Sequence, residues 1–318
     1  MTDRALKHFR FGKAFAAFRR ATSSRRAQIR KVRSLYQQTE LVAEGCVLCG
    51  EEDFTLLAQS DRYGFDLNKQ LCNSCGLVQT YPALSEEFLN TFYAEHYRKL
   101  YTKSQDVDYA RFEPEQSAKG ERFLAFLKDA LDGKDLKDFT IIEVGCSSGG
   151  ILNSLRPHFK AAQGCDLDPA AVAYARSEHG LEAEVAAFPS RLPEGGKIFL
   201  LSHVLEHVPN PRELMRQLRE AAGSDGYVLI EVPGMNMVSQ GSYSHDLRSY
   251  FHIAHVADYT GSTLENLLRV TGFETVACDE AVTGLFVASG TPGAEVVRNP
   301  ADSVENLRAI EKTFKLRL

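Results

Sequence analysis

Apolar positions change their spacing several times along the chain. Over residues 4–21, Phe11, Ala14, Phe15 and Phe18 recur at helical intervals with Lys and Arg between them, which predicts a basic amphipathic helix. Over 86–101, Phe88, Leu89, Phe92, Tyr93 and Tyr97 mark a second amphipathic helix rich in aromatics. A polar stretch over 102–118 then precedes helical spacing at 123–131. From Phe139 onward short apolar runs alternate with helical segments, the signature of a parallel sheet covered on both faces. Strands are expected over 140–144, 161–165, 182–186, 198–202, 227–232, 275–278 and 284–289, and helices over 150–156, 169–179, 211–222 and 263–271. Asn210 before Pro211 opens one helix, Ser262 with Glu265 reads as a capping box, and Gly180 and Gly272 close two others. No long helix separates the last two strands, so they should form an antiparallel hairpin.

The pattern divides the chain into a basic arm (1–40), a cysteine-bearing module (41–82), a helical linker or cap (83–133), an α/β domain (134–292) and a partly helical tail (293–318). At 318 residues the chain exceeds the usual single domain, which agrees with that division. Hydrophobic residues at 44% and charged residues at 25% exclude a largely disordered, collagen-like or coiled-coil chain. No apolar run reaches the roughly 18 residues of a membrane-spanning helix. The N-terminus shows no continuous apolar segment of the secretory kind either, so a cytoplasmic protein is expected.

The net charge of −5 hides an asymmetry. Residues 1–35 hold eleven Lys or Arg against Asp3 alone, so this arm is +10 and the remainder −15. An acidic body is a poor general nucleic-acid binder, because phosphate contact needs a basic face. The arm over 4–21 suits an anionic membrane surface, to which the protein would bind peripherally at its inner face. It equally suits packing on its own protein or a partner, a solvated tail, an RNA contact or an organelle transit peptide.

Four of the seven cysteines fall into two knuckles, Cys46-Val-Leu-Cys49 and Cys72-Asn-Ser-Cys75. Each C-x-x-C turn aims two thiolates at one point, and two such turns complete the tetrahedral sulfur cage that zinc prefers. The intervening residues allow short antiparallel strands, so a zinc ribbon with a structural, chemically closed metal is expected. Cys146, Cys165 and Cys278 are scattered and read as small core residues.

The first strand of the α/β domain runs into Glu143-Val-Gly145-Cys146-Ser147-Ser-Gly149-Gly150. A turn of small residues lets backbone approach a ligand closely. The spacing is neither G-x-G-x-x-G nor a Walker loop with its Lys and Ser or Thr, so dinucleotide and nucleoside-triphosphate sites are disfavoured. The second strand ends in Gly164-Cys-Asp166-Leu167-Asp168, placing a carboxylate where it would grip two ribose hydroxyls.

These segments resemble the class I S-adenosylmethionine-dependent methyltransferases, with Ser147 in place of the middle glycine of an E-x-G-x-G-x-G loop. The resemblance implies a Rossmann-like seven-stranded sheet. It implies that Gly145, Ser147 and Gly149 pass against the methionine portion of the donor, that Glu143 and Cys146 of the same loop also bind the cofactor, that Asp166 holds its ribose, and that Leu167 flanks the adenine. Phe188 stands where the family often has an acid and would pack on the ring. Ser202 and His203, from Leu201-Ser-His-Val-Leu-Glu206-His207, would reach the cofactor. The cysteine ribbon together with this domain is similar to bacterial zinc-ribbon methyltransferases, some of which act on sugars.

His207 follows the fourth strand, and a long polar loop over 234–261 carries His245, Asp246, Arg248, Tyr250, His252 and His255. Loops of that length are usually lids or binding surfaces. Methyl transfer requires alignment of nucleophile and methyl group and removal of one proton. His252, His255 and His207 are the candidates for that proton, with metal ligation or a structural role as their other uses. The chain lacks the [N/D]-P-P-[Y/F] motif of base-amino methylation. Methylation of a hydroxyl on a sugar or other small molecule or glycan is the leading reading. An rRNA or tRNA methyltransferase and a non-catalytic cofactor-binding scaffold are the alternatives.

Overall fold

The computed structural model describes residues 22–101, 108–279 and 281–315. The predicted helix at 4–21 lies outside them. The first helix, α1 (Ser23–Gln38), is capped by Thr22, whose hydroxyl accepts from the Arg25 amide. Despite its charge it packs on the protein: Ile29 and Val32 are fully buried among Phe88, Phe92 and Leu100. Arg33 donates to the carbonyls of Tyr63 and Gly64.

A short pair, β1 (Leu41–Val42) with β5 (Ala83–Leu84), brackets the cysteine module. Inside it β2 (Phe54–Ala58), β3 (Lys69–Cys72) and β4 (Val78–Thr80) form an antiparallel ribbon. The aromatic linker begins with α2 (Glu86–Thr91), capped by Ser85, passes through a wide turn over Phe92–His96 and ends in α3 (Tyr97–Tyr101). Then α4 (Glu113–Ala130) starts ten residues earlier than the apolar spacing predicts. Its first turns are polar because they face a cleft rather than the core.

The α/β domain contains β6 (Phe139–Val144), α5 (Gly150–Leu155), β7 (Ala161–Asp166), α6 (Pro169–His179), β8 (Glu182–Val185), β9 (Gly196–Ser202), α7 (Pro211–Ala222) and β10 (Tyr227–Glu231). After a long connection come α8 (Leu247–Tyr250), β11 (Ala257–Asp258), α9 (Gly261–Val270), β12 (Glu274–Cys278) and β13 (Thr283–Val287). The seven-stranded sheet has the order β12-β13-β10-β9-β6-β7-β8. Only β13 runs against its neighbours, so the expected terminal hairpin is present. This is the seven-stranded Rossmann-like order that the resemblance implies, with the carboxyl ends of β6, β7 and β9 along one edge.

Two details depart from expectation. The capping box at α9 is formed by Thr260 and Thr263, not by Ser262 and Glu265, because the helix starts two residues earlier. The segment 234–261 is not an open polar lid. Met235, Val238, Leu247, Tyr250, Phe251, Ile253 and Val256 are buried, and β11 adds to the free edge of the ribbon strand β4. An unpaired edge beside an apolar run is satisfied by taking that run as a further strand.

The ribbon and the sheet therefore share a core. Cys46, Leu48, Cys72, Cys75 and Leu77 belong to the same cluster as Ile142, Val144, Phe199, Tyr259 and Phe273 on one face of the sheet. The other face is filled by Phe123, Leu127, Ile141, Leu152, Val172 and Leu200. The tail helix α10 (Ala301–Lys315) buries Leu307 and Ile310 against Leu57, Leu71 and Met235. Among the described residues no helix is long and apolar enough to cross a membrane.

Candidate active site and four-cysteine centre

The turn after β6 is set by three left-handed residues: Gly145 (φ +76°), Ser147 (φ +50°) and Gly149 (φ +80°). A Cβ at Gly145 would sit 2.5 Å from Val204 Cγ2, so that position needs glycine for space as well as for φ, whereas at Gly149 the clash is with the movable Leu181 Cδ1 and φ is the main demand. Ser147 adopts the same region at a cost of about 1 kcal/mol or more. The carboxylate of Asp166, at the end of β7, holds this turn: Oδ2 accepts from the Ser147 amide at 2.8 Å and Oδ1 from the Asp168 amide at 2.8 Å. Asp168 in turn caps α6 and accepts a bond from the Tyr109 hydroxyl at 3.1 Å.

A cleft of about 170 Å³ opens over the turn, lined by Glu143, Gly145, Cys146, Ser147, Ser202 and His203 of the sheet edge. Gln116, Lys119 and Phe112 close its other side. Gln116 Oε1 accepts from Ser148 Oγ and the Gly150 amide at 3.2 and 3.1 Å, which fastens α4 to the turn. Two buried polar atoms in this cleft, Glu143 Oε2 and Ser202 Oγ, have no hydrogen-bond partner. Burial pushes the Glu143 carboxyl well above the ordinary carboxylate range, and neighbouring Asp166 adds to the shift.

Of the other expected cofactor residues, Gly149 and Asp166 support the turn from behind the cleft lining. Leu167 is 63% exposed beside Asp166, while Phe188 is half-buried and stacks on Phe199. The Cys146 thiol is buried beside Gly164.

His203 has a left-handed backbone (φ +57°) and stands between two carboxylates, 3.1 Å from Glu231 and 3.4 Å from Glu206. Burial disfavours its charged form, but Glu206 and Glu231 outweigh this and raise its pKa to about 9. Glu231 also meets Lys119 at 3.5 Å and Arg122. Burial opposes its ionisation, but His203 and Lys119 hold it at about 2.

Behind His203 lies a histidine cluster. The ring of His207 is 5.2 Å from that of His255 and 6.4 Å from that of His252, and Tyr93 and Tyr97 cover it edge-on at 5.7 Å each. The linker tyrosines thus cover His207. His252 and His255 are buried and do not line the cleft. Burial holds His252 well below the ordinary histidine range, with His255 adding to it. Burial likewise takes His255 down to about 4 in spite of the Asp258 carboxylate.

Sequence reasoning did not single out Gln116, Lys119, Arg122, Lys69 or Asp258. Lys69 of β3 is fully buried, bonded to Asp258 and to the His255 carbonyl at 2.7 Å each. Its only sequence signal is its period-two spacing with Leu67 and Leu71, which puts it on the buried face.

In the ribbon the four Sγ atoms lie within 4.8 Å of one another, with Cys46–Cys75 at 3.6 Å and Cys49–Cys72 at 3.4 Å. A tetrahedral zinc with Zn–S of about 2.3 Å needs sulfurs about 3.8 Å apart, so the four cysteines fit the ion.

The sequence profile described as methyltransferase domain matches residues 96–277. A search of curated proteins finds no match. Among solved structures the chain is similar to a complex of the Haloferax volcanii Trm112 methyltransferase activator with a methyltransferase, at 15% identity and TM-score 0.44 over 58% of this chain and 99% of that one. It is similar to the plantazolicin methyltransferase BpumL bound to SAH, at 16% identity and TM-score 0.45 over 72% and 89%. A third is CalS10 from Micromonospora echinaspora, an amino pentose methyltransferase with bound SAM, at 10% identity and TM-score 0.41 over 58% and 99%.

Proposed function

The chain belongs to the methyltransferase-domain family, and from that premise we propose that it moves the methyl group of S-adenosylmethionine to a hydroxyl of a small-molecule or glycan acceptor. The observation that carries the donor reading is the left-handed turn at Gly145–Gly149 opening onto a cleft whose buried Glu143 and Ser202 each present an unpartnered polar atom. An unpaired buried carboxyl oxygen suits the donor's α-ammonium, and Lys119 beside it suits the α-carboxylate. Asp166, at the end of β7 beside the turn, takes the ribose, and Leu167 offers an exposed apolar face to the adenine. Phe188 packs on Phe199 and reaches the adenine only with its free edge.

On the acceptor side the cluster of His207, His252 and His255, joined to the cleft through Glu206 and His203, supports handling of the hydroxyl proton. The ribbon cysteines Cys46, Cys49, Cys72 and Cys75 hold a structural zinc, because all four sulfurs converge and leave no open position.

The test is transfer of labelled methyl from S-adenosylmethionine to nucleotide sugars and extracted glycans by purified protein. Label that survives saponification of methyl esters and is recovered as an O-methyl sugar after acid hydrolysis is expected. Label in RNA, or none beyond the level of a His207→Gln variant that still binds donor, would overturn the O-methylation reading.

A further inference from the structure

Glu206 is a carboxylate with almost no solvent contact, and beyond the 3.4 Å approach of His203 Nδ1 to Oε1 neither of its oxygens has a well-formed hydrogen bond. Two histidines face it. A ring nitrogen of His207 and one of His255 lie with a Glu206 oxygen in a group whose members are all within 4.8 Å of one another, and His207 Nε2 is 3.7 Å from Glu206 Oε1.

The hydrogen bonds on the far sides of both rings fix which nitrogen carries the proton. His207 Nδ1 is 2.9 Å from the Ala254 carbonyl, and His255 Nδ1 is 3.1 Å from Asp258 Oδ1. A carbonyl and a carboxylate only accept, so each Nδ1 must donate and each neutral ring turns a lone pair at Nε2 toward its other side. Asp258 is itself held by the buried ammonium of Lys69 at 2.7 Å, so the His255 ring is oriented by a chain reaching into the ribbon. A histidine whose Nδ1–H is tied to a carboxylate or carbonyl is the usual outer support of a metal ligand.

Apart from His203, which meets Glu206 Oε1 from the cleft side at 3.4 Å, the group is a buried carboxylate facing two imidazoles, an arrangement that a bound cation would stabilise. We propose that Glu206, His207 and His255 bind a divalent first-row transition ion such as zinc, manganese or ferrous iron, distinct from the four-cysteine site. Two imidazoles and one carboxylate suit these ions and leave coordination positions open. Glu206 is 3.4 Å from His203, which lines the cleft, so the group adjoins the cleft. If the O-methylation reading above holds, an open position takes the acceptor hydroxyl oxygen and eases loss of its proton. That clause rests on the reading of the acceptor, whereas the metal site does not.

The test uses the full chain without donor or acceptor. Metal content after equilibration with zinc, manganese or anaerobic ferrous iron and gel filtration should exceed the four-cysteine equivalent by one. Glu206→Gln and His207→Gln should each weaken the extra ion at least about tenfold, with the cysteine-bound equivalent retained as proof of folding. Cobalt(II) titration of the unaltered protein gives a readout independent of any variant. One equivalent should show intense sulfur-to-cobalt charge transfer and a second only weak ligand-field bands. A wild-type protein that takes up the four-cysteine equivalent alone, or a second equivalent indifferent to both substitutions, would overturn the site. Because no methyl transfer is measured, a filled site with no labelled sugar would refute the acceptor reading and leave the metal site standing.

Discussion

Lys69 is the most direct probe of whether the ribbon supports the active site or merely accompanies it. Its side chain and that of Asp258 are both fully buried, and its ammonium also binds the carbonyl of His255. Lys69→Met keeps most of the volume but leaves the Asp258 carboxylate in the interior without its ammonium partner. Removing one partner of such a buried pair costs about 3–5 kcal/mol. With an unfolding entropy near 2.1 cal/mol/K per residue over 318 residues, this corresponds to a fall of about 4–8 °C in thermal midpoint. Asp258→Asn in the same chain removes the stranded charge and keeps an acceptor for His255 Nδ1, so the double variant should be more stable than the sum of the single losses implies, by about 2 kcal/mol. Scanning calorimetry of the four proteins, with ribbon metal content checked in each, measures the cycle. A shift below about 2 °C for Lys69→Met, or strictly additive losses, would refute the claim that this pair clamps the ribbon to the 234–261 segment.

Further outcomes follow from the same structure. Gly145→Ala forces a methyl group against Val204 at a left-handed position, so it should abolish measurable donor binding in equilibrium dialysis while the ribbon keeps its metal. Stripping the ribbon metal with a thiol reagent and chelator should lower the melting midpoint and the donor affinity together, since Cys46, Cys72 and Cys75 share a core with β6 and β9. Independent losses would contradict that shared core. Asp61 accepts the amides of Tyr63, Phe65 and Ile253, yet burial raises its carboxyl to about 6. A raised carboxyl contributes stability that is complete below its unfolded pKa near 3.8 and is lost as pH rises through about 6. Relative to Asp61→Asn, the wild type should therefore gain about 1.4 kcal/mol in denaturant unfolding between pH 7 and pH 5. A flat difference over that interval would contradict the shift.

What the sequence disclosed follows from where its signals are local. The helices Pro169–His179 and Pro211–Ala222 are legible to the residue because Asp168 and Asn210 cap them and proline fixes their first turns. The strands are legible because buried parallel strands are short apolar runs, and the donor turn because glycines are required at Gly145 and Gly149. The 234–261 segment is not, since its single turns have no sustained period and its burial depends on β4, far away in sequence. Lys69 and Asp258 are 189 residues apart, so each reads as a surface charge until the fold joins them. Gln116, Lys119 and Arg122 were hidden for a related reason: the half of α4 that faces the cleft is polar, and apolar spacing reveals only the half that faces the core.

The account turns on a sulfonium donor resting on the Gly145–Gly149 turn with its ribose at Asp166, and isothermal titration calorimetry with S-adenosylmethionine measures this directly. Saturable binding is expected for the wild type, with affinity reduced at least about tenfold, or 1.4 kcal/mol, in Asp166→Asn at unchanged ribbon metal content. A wild-type protein that gives no binding heat across several temperatures, or an Asp166→Asn variant that binds the donor equally well, would contradict it.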